Sequence, residues 1–194
     1  MSISTDKGWF TLMALDPQCR AMLDVVAENG SPFDHEDPAK AREMMAATTR
    51  PIPDPDERFA DVHDAHLTGP AGDIAYRYFR PNDTPEIMAP CIIYYHGGGM
   101  VFGTIDSHDP ICRAIALAAD CVVISIDYRL APEDKFPSAV DDAWAAYMEI
   151  RTHADNFGVD RNRIAVGGDS AGGNLAAVIP LLAKEKGVNQ PCMQ

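Results

Sequence analysis

The chain has 194 residues, 46% of them hydrophobic and 23% charged, with a formal net charge of −13. That length supports one domain with a sizeable core. The acidity argues against nucleic acid or an anionic membrane surface as a partner, and no apolar run reaches membrane-spanning length.

In chain order, the first 45 residues carry a helical pattern, with Leu15, Met22, Leu23, Val25 and Val26 as an apolar stripe that Gly30 ends. A second helix is predicted from Pro38 to Thr48, with Asp37 as N-cap, Pro38 at its first position and Ala41, Met44 and Met45 on one face. Arg50-Pro51-Ile52-Pro53-Asp54-Pro55 then makes an extended connector. Ser31 to His66 holds nine of the 29 acids against four basic groups, which reads as a solvated, acidic surface. The expected division is a helical segment with its connector, residues 1–55, and a main body, residues 56–194.

From Ala60 the pattern changes. Ile74, Tyr76 and Tyr78 alternate with smaller or polar residues, predicting a strand paired with its predecessor through Gly69-Pro70-Ala71-Gly72. Three short apolar runs follow, Cys91 to Tyr95, Cys121 to Ile126 and Arg163 to Val166. Helical patterns at about Ser107–Ala119 and Pro137–His153 separate them, and a third helix is expected after Ser170. Short apolar strands alternating with helices predict an α/β fold with a parallel sheet covered on both faces. The five cysteines, Cys19, Cys91, Cys112, Cys121 and Cys192, are odd in number and lack metal-ligand spacing. With no signal-peptide pattern at the N-terminus, a reducing, cytoplasmic setting and no bound metal are expected.

Gly168-Asp169-Ser170-Ala171-Gly172 falls between an apolar strand and a helix. A serine on such a sharp turn is pushed out above the sheet, and small flanking residues let the turn close. The following helix aims its unsatisfied N–H groups at the same point, and the Ala171 N–H is placed to meet a developing oxyanion. The spacing matches neither the dinucleotide nor the P-loop pattern. A second signal is His96-Gly97-Gly98-Gly99 after the Cys91–Tyr95 strand. Its glycine backbone can approach a ligand closely, and two such loops at carboxyl ends of parallel strands mark a ligand site. His96 reads as a loop anchor, because the catalytic histidine of this architecture follows the nucleophile in the chain.

Together with Asp127-Tyr128-Arg129-Leu130-Ala131-Pro132-Glu133, Phe136-Pro137 and the continuation Gly173-Asn174, these segments resemble the hormone-sensitive-lipase family of α/β-hydrolases, the bacterial family IV esterases. The match runs from roughly Asp61 to Lys186, and the N-terminal helices resemble that family's cap. The resemblance implies a cofactor-independent esterase acting on small-molecule esters of short to medium acyl chains, with Ser170 as nucleophile. It further implies an oxyanion hole from the backbone N–H groups of Gly97, Gly98 and Ala171, and a structural role for Tyr128–Glu133. Met100 departs from the aromatic residue often found after the glycines, and Pro180 should bend the helix after Ser170.

The triad of this fold runs Ser, then Asp or Glu, then His. All six histidines (His35, His63, His66, His96, His108 and His153) precede Ser170, and Glu185 is the one acid after it. The resemblance places the remaining triad members in later strands, beyond residue 194. A fragment with little activity of its own is therefore expected, its last strand an open apolar edge prone to aggregation or to pairing into a homodimer. Leu175, Val178, Ile179 and Leu182 are expected to lose part of their burial there. The competing readings are a receptor that keeps the serine pocket without the catalytic histidine, and an interaction module using the open edge.

Overall fold

Asp16 and Asp37 each stand just ahead of a proline, and each starts a helix. In the computed structural model, which describes residues 15–31, 36–48 and 56–194, helix α1 spans Pro17–Asn29 and α2 spans Pro38–Thr48. The Asp16 carboxylate accepts the Gln18 N–H at 2.8 Å and Asp37 accepts that of Ala39 at 2.9 Å, satisfying donors the helices cannot. Gly30, at φ 78°, closes α1. The α1 stripe of Leu15, Met22, Leu23, Val25 and Val26 is solvent-exposed. The predicted connector, residues 50–55, lies outside the described residues. The chain divides into two units, Met1–Met44 and Met45–Gln194.

The second unit is built on β1 (Phe59–Gly69), β2 (Gly72–Pro81), β3 (Ala89–Tyr95), α3 (Ile105–Ala119), β4 (Val122–Asp127), α4 (Ser138–Thr152), β5 (Val159–Gly168) and α5 (Ala171–Glu185). β1 and β2 form the predicted hairpin, with Gly69 opposite Gly72. The sheet order is β1-β2-β4-β3-β5. β3 lies parallel to both β4 and β5, as the apolar runs predict. β2 pairs antiparallel with β4, Tyr78 facing Ile124, so the sheet as a whole is mixed.

Alternation along the strands sends side chains to two helical layers. On one face Phe79, Tyr94 and Val123 pack with Cys112 and Ala116 of α3. On the other, Ile93, Tyr95, Ile124, Ile126 and Val166 pack with α4 and α5, through Ala143, Tyr147, Leu175 and Ile179. The Tyr95 hydroxyl, fully buried, donates to the Ala143 carbonyl at 3.0 Å. A buried arginine ties α3 to the hairpin: Arg113 bonds Asp109 at 2.6 Å and lies over the rings of Phe59 and Phe79, 5.2 and 5.5 Å from their centroids. Asp56 approaches the same guanidinium at 3.5 Å, and its bonds to Arg58 hold its own carboxyl down to about 2.

Three boundaries differ from expectation for local reasons. α3 begins at Ile105 because Thr104 and Ser107 form a reciprocal capping box. β5 begins at Val159, its polar Asp160–Arg163 stretch falling at the register shift between the Ala89–Val159 and Cys91–Ile164 pairs and mostly exposed. The outer edge of β5 is not bare: the Cys192 N–H donates to Ile164 O at 2.8 Å and the Val166 N–H to Met193 O at 3.0 Å. Leu175 and Ile179 accordingly remain fully buried, with Val178 and Leu182 intermediate, and α5 continues through Pro180 to Glu185.

Candidate active site

β5 ends at Gly168 and α5 starts at Ala171, leaving Asp169 and Ser170 to turn the chain. Ser170 takes φ 51° and ψ −116°, a region few residues with a side chain adopt. The turn can be this tight because Gly168 and Gly172 lie against the backbone after β3: a methyl at Gly172 would strike the Tyr95 carbonyl, and one at Gly168 would meet the same atom. The strained turn lifts Ser170 into solvent. Among the described residues its hydroxyl has no hydrogen-bond partner, and no histidine approaches it.

The glycine loop lies against this elbow. Its second glycine, Gly98, sits at φ 120° with its carbonyl accepting from both Val101 and Phe102 at 3.0 Å, so the loop folds back on itself, and a methyl there would hit the Phe102 carbonyl. Gly97 departs from expectation. Its N–H donates to Asp169 Oδ1 at 2.9 Å and also lies 3.2 Å from His108 Nε2. A donor held by a carboxylate is not available to an oxyanion, which removes Gly97 from the expected donor set. Gly98 and Gly99 have no acceptor for their N–H groups among the described residues. The Ala171 N–H belongs to the first turn of α5, where no intrahelical carbonyl can reach it.

His96 is the anchor its position suggests. It is wholly buried, its Nδ1 lies 2.8 Å from Gly97 O, and its ring stacks on Tyr128 at 4.3 Å between centroids. Burial pulls its pKa from 6.5 down to about 4, so the ring is neutral near pH 7. Nδ1 therefore donates to the carbonyl and Nε2, 3.9 Å from Asp127, carries an unpaired acceptor. The Tyr128 hydroxyl donates to His96 O at 2.6 Å, and the Ala131 N–H donates to Met100 O at 2.8 Å. Arg129 grips Asp142 of α4 at 2.8 and 2.7 Å. The Tyr128–Glu133 segment thus joins the glycine loop to the sheet.

One participant, His108, escaped the sequence reading, and another, Asp169, was read only as part of the motif. Asp169 does more than fill the turn: Oδ1 also accepts from the Tyr94 hydroxyl at 2.9 Å and pairs with His108 at 3.3 Å. His108 reaches it from the first turn of α3, and the Thr104–Ser107 capping spacing is the one signal that would have placed it there. Among the described residues no group of His, Cys, Asp and Glu is arranged to hold a metal ion, and no helix is long and apolar enough to cross a membrane.

A strained serine between a parallel strand and a helix, with open amides beside it at the carboxyl ends of the strands, defines an α/β-hydrolase. Residues 92–194 match the family described as alpha/beta hydrolase fold. The chain belongs to that family. It is 44% identical over 176 residues to the carboxylic ester hydrolase LipN of Mycobacterium tuberculosis, covering 89% of this chain and 46% of that protein. It is 34% identical over 190 residues to an ethyl acetate hydrolase of Pseudomonas putida, covering 94% of this chain and 60% of that one. Among solved structures, a hyperthermophilic esterase from the archaeon Pyrobaculum calidifontis superposes with a TM-score of 0.81 at 39% identity, over 92% of this chain and 57% of that one. The chain spans about half the length of the curated relatives it matches.

Proposed function

We propose that this chain carries the nucleophile and the oxyanion donors of a serine carboxylesterase acting on small esters of short to medium acyl chains. The observation that carries the reading is Ser170: exposed, strained and unpaired, beside three backbone N–H groups with nothing to bond. Its Oγ attacks the ester carbonyl carbon while its proton passes to the triad base, and the carbonyl oxygen, becoming negative, receives hydrogen bonds from Gly98, Gly99 and Ala171. Collapse breaks the ester C–O bond, the leaving alcohol takes that proton from the base, and the acyl-Ser170 that remains is hydrolysed by water. Gly97, Asp169 and His96 hold the donors in place and touch no substrate.

A neutral serine is a poor nucleophile, and no base lies within reach of Ser170 among the described residues. In this reading the acid and histidine of the triad lie outside residues 1–194, and this span alone turns over no ester. The test uses the full-length product of the gene that encodes this chain, with an activated short-chain ester. Ser170→Ala abolishes turnover. Full activity in that variant ends the reading, and no activity in the unaltered protein favours a receptor on the same fold.

A further inference from the structure

Gly98 and Gly99 supply donors from the least constrained residue type, and no helix or strand spans residues 96–104 to fix them. Side chains do so instead, through Gly97. Asp169 holds the Gly97 N–H at 2.9 Å, and His108 Nε2 lies 3.2 Å from the same nitrogen. On the far side of the imidazole, Nδ1 lies 2.8 Å from Ser107 Oγ. With the Ser107 hydroxyl donating to Thr104 O at 2.9 Å, it accepts from His108, and Nδ1 carries the ring hydrogen, the tautomer in which Nε2 accepts the Gly97 N–H. In the neutral ring Nε2 is then an acceptor, and the hydrogen within its reach is the Gly97 N–H, shared with Asp169. In the protonated ring Nε2 becomes a donor, turns to Asp169 Oδ1 at 3.3 Å, and leaves Gly97 to the carboxylate alone. The ring is 14% exposed, and besides Asp169 it faces Tyr94 of β3 and His96 of the loop, 6.4 and 5.4 Å away between centroids.

We propose that His108 is a positioning residue: through Nε2 it sets the orientation of the Gly97 peptide, and with it the direction of the Gly98 and Gly99 N–H groups beside Ser170. The proposal rests on the functional reading above, since those donors matter to a reaction only if Ser170 is acylated. His108 itself touches no substrate. It acts from α3, an element the serine elbow does not otherwise need, and the Thr104–Ser107 capping box fixes the base of its side chain.

The test has a spectroscopic and a kinetic arm. In protein labelled with isotopic glycine, the amide signals of Gly97, Gly98 and Gly99 move together in His108→Ala. They return most of the way in His108→Gln, or in His108→Asn should that variant fail to fold by circular dichroism. Glycine signals that stay fixed in His108→Ala, or that move equally in all the variants, overturn the proposal. In the full-length product, His108→Ala lowers kcat by roughly ten- to a hundredfold, the scale of a misplaced group, with KM held within about threefold. His108→Gln, whose amide oxygen can still accept from Gly97, recovers most of the loss. An unchanged kcat in His108→Ala overturns the proposal while leaving the nucleophile assignment intact. Turnover that survives Ser170→Ala removes the functional reading, and the glycine signals still decide on His108.

Discussion

Lowering the pH from 7 to 5 destabilises this protein through one buried side chain. His96 is fully buried and its pKa falls from 6.5 to about 4, with desolvation the largest cause and its bond to Gly97 O opposing it. Between those two values the unfolded chain holds a proton on His96 that the native state does not, so stability falls as pH drops through the window. The linkage relation puts that loss at about 2 kcal/mol between pH 7 and pH 5, levelling off once pH passes below the folded value. A domain's whole margin is about 5 to 15 kcal/mol, so this one ring removes a sizeable share of it. His96→Phe keeps the stack on Tyr128 and cannot titrate. It lowers stability at pH 7, because the bond to Gly97 O is lost, yet it flattens the pH dependence. Urea unfolding of both proteins at pH 7 and pH 5 isolates the effect, since the other titrating groups cancel in the comparison. Equal losses in the two proteins would refute the buried neutral ring.

Removing Arg113 as Arg113→Met leaves buried Asp109 with only the more distant Arg77 guanidinium, 3.5 Å away, and thermal or urea unfolding should show a loss of up to about 3 kcal/mol, partly restored by Asp109→Leu in the same chain. Gly172→Ala drives a methyl into the Tyr95 and His96 carbonyls, backbone atoms that cannot yield, so unfolding should show a loss of about 3 kcal/mol or more; a stable variant would contradict the close approach of α5 to β3. Cys19 and Cys192 are exposed while Cys91, Cys112 and Cys121 are buried, and burial pushes the Cys112 thiol up to about 12. A thiol reagent should therefore modify two cysteines in the native protein and all five after unfolding.

Much of this architecture can be read from residue patterns because the signals are local. Asp37-Pro38 marks a helix start, Gly69-Pro70-Ala71-Gly72 marks a hairpin, and Gly-x-Ser-x-Gly between strand and helix marks the elbow. The antiparallel seam between β2 and β4 has no such signature, since two apolar strands carry no record of their partner's direction. Cover at the β5 edge depends on residues 192 and 193, which look like a polar tail in sequence. The donor set shows the same limit at the site. Three consecutive glycines are equivalent in sequence, and only the Asp169 carboxylate, brought 72 positions along the chain to Gly97, distinguishes the held amide from the open ones. His108 was missed for a related reason: the Thr104–Ser107 capping spacing can place it in the first turn of α3, but its contact with the elbow is made only by the fold.

Covalent capture of the nucleophile tests the central claim most directly. The full-length product is incubated with an activated phosphonate ester, whose tetrahedral phosphorus mimics the acylation intermediate, and its peptides are weighed by mass spectrometry. The account predicts a single adduct, on the peptide containing Ser170, that disappears in Ser170→Ala and weakens in Asp169→Ala, where the Gly97 amide is released. An adduct on any other residue, or the same adduct yield in Ser170→Ala, would contradict it.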